Sequence, residues 1–477
     1  MWGFRKPKQV EATFAGPIVM IGFGSIGQGV LPLILRHIEI KRKNIHIITG
    51  DDRGQAIARK EGVNFHVQPL TAKNYKKIVS TYLKPGGFLV NLSVDVSSES
   101  LVRLCQELGA LYIDTCVEPW PGGYYDASLT LAERTNYALR EHALKLKDKY
   151  RGGTTAVMAH GANPGIISHF LKQALLNIAA DTGLDRPVPS SQVEWSELAR
   201  DLGVKTIHVA EYDSQVSKDA KQMGRFENTW SVNGFLSEGV LQPSELGWGT
   251  HEKTFPKDAR RHKQGSKASI YLLQPGARTL VKTWTPNQKQ FLGHLVTHHE
   301  SIAIADYLSV RDGNKVLYRP TVHYAYRPCD AAVLSLDEAL GTDMLDPPTQ
   351  RILLDDIVRG MDELGVLIMG HKKGAYWYGS QLDIDTARAL APYQNATGLQ
   401  VTSGVVAAMI WAMENPERGV VEAEELDFER IMEIITPYMG RMYGEYTDWT
   451  PVQNRKPLFP NGADYSDPWQ FKNFRVS

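Results

Sequence analysis

The chain has 477 residues, enough for two or three domains, each with its own core. Lys plus Arg and Asp plus Glu balance at 53 each, with no long run of one sign, so neither a nucleic-acid groove nor a membrane surface is expected. Cys105, Cys116 and Cys329 lack CxxC spacing, and neither a signal-peptide pattern nor an apolar run of transmembrane length is visible, so a cytoplasmic protein without a zinc site is expected.

Residues 1–15 carry no clear pattern and read as an arm. The first ordered feature is Pro17 to Leu35, where the apolar run Ile18 to Ile21 meets Gly22-Phe23-Gly24-Ser25-Ile26-Gly27 and a helix-like sequence. Strand, glycine turn, helix is the context in which GxGxxG marks a dinucleotide site. Gly22 permits the turn, Gly24 lets a pyrophosphate approach the backbone, and Gly27 lets the helix pack on the strand. The N–H groups at Ser25 and Ile26 then face the phosphates. Pro32 fits badly, because beyond the first turn it should kink or shorten the helix. The next apolar run, 44–49, ends in Gly50-Asp51-Asp52. An acid there accepts the ribose hydroxyls of NAD and repels the 2′-phosphate of NADP. Asp51 lies slightly beyond the usual spacing, which leaves Asp52 as a substitute, and the adjacent Arg53 weakens the preference for NAD.

Further strands are expected at 63–67, 88–93, 110–115 and 155–160, with helices at 72–83, 97–109 and 129–150. This alternation gives an α/β fold with a Rossmann-type, doubly wound parallel sheet. Ser93 and Thr115, at the ends of two strands, join the expected cofactor contacts. The last strand runs into Gly161-Ala162-Asn163-Pro164-Gly165, read as a helix start with Asn163 as N-cap and Pro164 in the first position, before an apolar helix over 166–180.

From about residue 181 the pattern becomes strand-rich after one helix at 190–202. Strands are expected at 206–210, 268–273, 279–284, 294–299 and 322–326, with a hairpin-like pair at 364–370 and 375–379. Residues 355–364 read as an amphipathic helix. Residues 399–413 are apolar nearly all round and read as a buried helix packed back on the first sheet. Pro416 stops it, and Asp427 caps another helix to 436. The expected organisation is a nucleotide domain from 1–180 plus 395–477, with an inserted mixed α+β substrate and dimerisation domain at 181–394. The tail after 450 reads as an arm or covering loop.

Asp95 and Glu118 follow strand ends in the first sheet, and Glu211 follows one in the second. Glu238 lies in the polar stretch 228–239 around Trp230. Any one such acid is more often a helix cap or a solvated turn. Lining one cleft, they make a site for a cation, and a tryptophan face beside them attracts an ammonium by roughly 0.5–2 kcal/mol. A core tryptophan is the plain alternative. His298 and His299, at the end of an expected strand, point to opposite faces, which argues against a shared metal. No serine, cysteine or lysine sits in a nucleophile motif.

GFGSIGQG, HGANPG, NTWSVNGF and THHES together resemble the bacterial homospermidine synthase family, within the saccharopine dehydrogenase-like group. The resemblance implies an aminoalkyl transferase in which NAD+ takes a hydride from putrescine and ammonia leaves. A second putrescine then condenses, and the hydride returns to give sym-homospermidine; spermidine as a substrate would release 1,3-diaminopropane. It implies a homodimer acting on diamines. Glu211 and Glu238 would hold and deprotonate the reacting amine, and Trp230 would stabilise the cationic intermediate. Asp95, Glu118 and Asp362 would hold the remote ammonium. Asn163 would position the nicotinamide or the reacting group, and His299 would shuttle protons. A saccharopine or carboxynorspermidine dehydrogenase-like reductase is the nearest rival. It would need a carboxylate clamp, for which Lys257, Arg260 and Arg261 are available. A non-catalytic NAD-binding sensor is the other.

Overall fold

Seven short runs, most of them buried on both faces, can pair only inside a sheet covered on each side. In the computed structural model, which describes residues 10–342, 347–453 and 462–476, they do so. Strands β1 (Ile18–Ile21), β2 (Ile45–Thr49), β3 (Asn64–Val67), β4 (Phe88–Asn91), β5 (Leu111–Asp114) and β6 (Ala156–Met158) are joined by Val420–Glu422. The order is Val420–Glu422, β6, β5, β4, β1, β2, β3, and every pair is parallel. Helices α1 (Ser25–His37), α2 (Gln55–Glu61), α3 (Tyr75–Tyr82), α4 (Ser98–Leu108) and α5 (Asn136–Lys149) connect the first six strands. Helix α1 runs for 13 residues through Pro32, so the proline does not shorten it. Ser97 caps α4 as expected, accepting from Ser100 N. Helix α5 starts at Asn136 behind a Thr135 cap, seven residues later than its charge pattern suggests. The seventh strand is too short an apolar run to stand out in the sequence.

Helices α6 (Ile166–Thr182) and α7 (Gln192–Asp201) lead into the second domain. The N-cap of α6 is Gly165, at φ +130°, and not Asn163; a Cβ on Gly165 would lie 2.3 Å from the Gly161 carbonyl oxygen. Asn163 and Pro164 instead form the turn before the helix, joined by a cis peptide. Eleven strands form the second sheet. At its centre β7 (Thr206–Asp213) pairs in parallel with β8 (Thr321–Arg327) and antiparallel with β9 (Met361–His371). Strand β9 turns into β10 (Gly374–Asp383), the expected hairpin, longer than read from sequence.

Three expectations fail here. The strand at 294–299 is absent: a strand over Lys289–His294 ends there, and α8 (His299–Tyr307) follows with His298 as its N-cap residue. The helix at 355–364 is absent too, since residues 357–359 and 361–371 are strands. Third, Arg441–Thr447 pairs with β10 and Arg475–Val476 pairs with Leu280–Thr285, so this C-terminal part of the chain completes the second sheet, not the nucleotide domain. Residues 454–461 of the expected tail, and 1–9 of the expected arm, lie outside the described residues.

Helix α9 (Ala396–Glu414) locks the two halves together. Asn395 caps it, it packs against α1, and one continuous apolar core runs from β1 through α1 and α9 to β9. Among the described residues it alone is long and apolar enough to cross a membrane, yet 89% of that window is buried inside the protein. A buried helix that is apolar on all sides satisfies the same composition test.

Candidate active site

The glycine turn between β1 and α1 has three positions with three different constraints. A Cβ on Gly22, at φ +85°, would lie 2.8 Å from the Leu92 carbonyl oxygen, and one on Gly27 would lie 2.8 Å from that of Gly22. A Cβ on Gly24 would meet nothing within 4 Å. Gly24 is also the N-cap of α1, without a side-chain cap or an acid in the first turn. The backbone N–H groups at Ser25 and Ile26 thus open onto free space at the positive end of a helix, a cradle that fits a pyrophosphate. At the end of β2, Asp51 accepts from Arg53 Nε at 2.9 Å and Nη2 at 2.6 Å. These bonds hold its carboxyl below the usual range despite some burial.

Past the carboxyl ends of β4, β5 and β6, against β7, lies a cavity of about 130 Å³. Ile26, Ser93, Thr115 and Asn163 line its nucleotide side, and Glu118, Glu211, Trp230 and Glu238 its other walls. These residues come from six separate stretches of the chain. Two more lining residues, Tyr324 and Thr397, carry no signal in the sequence, and of the adjacent pair His298 and His299 it is His298 that lines the cavity. Among the described residues, no lysine or arginine lines the cavity. Arg260 and Arg261 sit on a short strand elsewhere, the latter over Phe255.

Glu211 is 2% exposed, and its Oε2 accepts from Asn163 Nδ2 at 3.0 Å and from the Tyr324 hydroxyl at 2.5 Å. Burial pushes its carboxyl up to about 7, against the pull of the Tyr324 hydrogen bond. Glu118 takes the Cys116 thiol at 3.3 Å and the Asp95 backbone N–H at 3.4 Å, and burial pushes it up to about 8. His298 lies between Glu238 Oε2, 3.1 Å from its Nε2, and Glu300 Oε1, 3.2 Å from its Nδ1. Burial opposes its charge, but Glu300 and Glu238 outweigh it and raise the imidazole to about 10. His298 is therefore a cation across neutral pH. Trp230 donates from Nε1 to the Tyr326 hydroxyl at 3.0 Å, which fixes the indole edge at the cavity wall.

Three expected residues lie elsewhere. His299 faces away: its Nε2 meets Glu422 Oε1 at 2.8 Å, in a buried cluster where Arg140 also binds Glu422 and Asp306. His298 is the extended residue ahead of the helix at 299–307, whereas His299 is the helix's first residue and turns toward Glu422. The histidine at the cavity is His298. Asp362 lies on β9, fully buried, bonded through Oδ2 to the Thr397 hydroxyl and with Oδ1 unpartnered. Asp95, at φ +63°, touches the cavity wall through its backbone N–H to Glu118, and burial raises its carboxyl. Tyr324 and Tyr326 follow a visible period of two in HYAYR, as Glu211 and Asp213 do in HVAEYD. Only the pairing of β7 with β8 brings them together.

The model for the saccharopine dehydrogenase NADP binding domain matches residues 18–157, and that for the saccharopine dehydrogenase C-terminal domain matches residues 161–448. The homospermidine synthase of Mesorhizobium japonicum is 52% identical over 98% of both chains. That of Blastochloris viridis is 54% identical over 97% of both. The chain belongs to the homospermidine synthase family. The crystal structure of the Legionella pneumophila homospermidine synthase in complex with NAD superposes with a TM-score of 0.92 at 46% identity, covering 98% of this chain and 99% of that one. Saccharopine dehydrogenase from Saccharomyces cerevisiae shares the fold alone, with a TM-score of 0.53 at 10% identity.

Proposed function

We propose that this chain is a homospermidine synthase, joining two putrescines to give sym-homospermidine and ammonia, with NAD as its cofactor. One observation carries the reading. A cavity walled by Glu118, Glu211, Glu238 and Trp230, with no lysine or arginine among its described lining residues, lies where the glycine turn directs a nicotinamide. Such a wall suits a diamine dication and repels the dicarboxylates that a saccharopine-type reductase handles.

When bound, NAD supplies a hydride acceptor and later the matching donor. The protein must do the rest. A hydride leaves carbon only if the attached nitrogen offers a lone pair, so the reacting ammonium must first lose a proton. Glu211, raised by burial into the neutral range, is the base for it, oriented by Asn163 and Tyr324. The iminium that results is a cation against the Trp230 ring. Glu118, whose carboxylate is held by the Asp95 backbone N–H, takes the remote ammonium. Attack by the second amine on the iminium carbon gives an aminal, which expels ammonia once that nitrogen is protonated. Glu238, held on cationic His298, is placed to move protons between the two nitrogens. The new secondary iminium then accepts the hydride.

Use of spermidine in place of one putrescine, a homodimeric state and a cytoplasmic location belong to the same proposal. Three unpaired cysteines, two of them buried, support a reducing compartment. The test is deuterium retention. Putrescine deuterated at both terminal carbons, turned over in the presence of free unlabelled NADH, should give homospermidine with every deuterium kept. Loss of one deuterium per product molecule would show that the hydride leaves the site.

A further inference from the structure

We propose that Asp213, which does not line the cavity, sets the basicity of Glu211. Residues two apart on a strand project from the same face, about 7 Å apart. Glu211 and Asp213 are so placed on β7, and the antiparallel register of β9 sets Asp362 directly opposite Asp213. The three carboxyl groups are 2%, 1% and 0% exposed. Among the described residues, no lysine or arginine is ion-paired with any of them.

The three are not supplied alike. Asp213 Oδ1 accepts from the Gln215 backbone N–H at 2.8 Å and from Gln215 Nε2 at 3.1 Å. Its Oδ2 accepts from the Thr229 hydroxyl at 2.6 Å. Three donors favour the ionised form. Asp362 has the Thr397 hydroxyl on one oxygen, no donor on the other, and the Glu211 carboxyl against it. Burial, with the charges of Glu211 and Asp213, pushes it far up, so it stays neutral. The negative charge therefore settles first on Asp213, and a second charge on Glu211 is resisted. The other groups facing Glu211 are His298 ahead of α8, whose charge favours ionisation, and Tyr324 and Tyr326 on β8, both pushed far up by burial. Glu118 and Glu238 lie across the cavity, and Asn163 carries no charge. Asp213 is the like charge on Glu211's own strand face. It is a positioning residue in the electrostatic sense, and it makes Glu211 a stronger base for an ammonium.

This rests on the reading of Glu211 as the base. The test is the pH profile of turnover on putrescine by the NAD-loaded full chain, for Asp213→Asn, Thr229→Val and Glu211→Gln. Asp213→Asn should move the acid limb of kcat/KM down by about half a unit or more, with a fewfold lower plateau. Thr229→Val, which deprives Asp213 of a donor, should move it the same way by less. An acid limb that stays in place in both variants, whatever the plateau, overturns the role of Asp213. A Glu211→Gln variant that keeps wild-type turnover overturns the reading of the base and this inference with it. Should Asp213→Asn fail to bind NAD as a folded protein, the Thr229→Val profile decides alone.

Discussion

The two ends of the site are built in opposite ways. At the phosphate end, ten consecutive residues from Ile18 to Gly27 supply a strand, a turn and a helix N-terminus, and the binding groups are backbone N–H. At the amine end, side chains from separate stretches converge, Glu118, Glu211 and His298 buried and Trp230, Glu238 and Asn163 half-buried, each with a partner already in place. A backbone site tolerates any side chain that stays out of the way. A carboxylate site works only if burial and neighbours set each proton affinity. Lesions at the first end should therefore remove the cofactor, and lesions at the second should spare the cofactor while stopping turnover.

The largest separation is expected from Glu211→Gln. The amide keeps the shape and the Asn163 contact but cannot take a proton, so kcat should fall by about 10² or more while NAD affinity and melting temperature hold. Gly24→Val should do the reverse. The added Cβ meets no protein atom within 4 Å, so the fold should persist while NAD affinity falls by about tenfold or more, read by titration calorimetry. Trp230→Leu should cut kcat by roughly 2- to 30-fold, the equivalent of 0.5–2 kcal/mol at a cationic intermediate, with NAD binding unchanged. A milder contrast lies in pH. Burial raises Glu118 to about 8 and Glu211 to about 7, so ionising them opposes folding. Their folded values exceed the unfolded ones. The free protein should therefore lose stability as pH rises toward and through those values, and bound putrescine should restore it. Putrescine affinity should accordingly strengthen from pH 6 to 8, with proton release on binding at the lower pH, both measurable by calorimetry in buffers of different ionisation enthalpy. Smallest is Asp51→Asn, which should shift the preference between NAD and NADP by a few-fold, since Arg53 already occupies that carboxylate.

How far each end was legible in sequence follows from the same contrast. GxGxxG is contiguous, and its three glycines have the distinct constraints the motif implies. Glu211, Glu238 and Trp230 are visible in sequence as an acid after a strand and a tryptophan beside an acid, but that their segments meet is supplied by the family resemblance. The proton role of His299 comes from the resemblance, and a strand reading of THHES cannot decide which of the two histidines faces the site; Glu300 and the alanines after it carry a helix whose period is hidden by four apolar residues upstream. Asp362 was placed on a helix because DDIVRGMDEL has amphipathic spacing, whereas β9 forms by pairing with β7 and β10, and pairing partners leave no local trace. Asp213 carries no signal in the sequence for the same reason. Its importance depends on the residue opposite it.

The central claim is that the hydride is lent and returned within one transfer reaction. The most direct measurement follows products and cofactor together: putrescine with a catalytic amount of NAD+ should yield equal amounts of ammonia and homospermidine, many per NAD, with no build-up of NADH. NADH accumulating in step with ammonia, or a reaction that runs only on stoichiometric NAD(P)H and a 2-oxo acid, would contradict it.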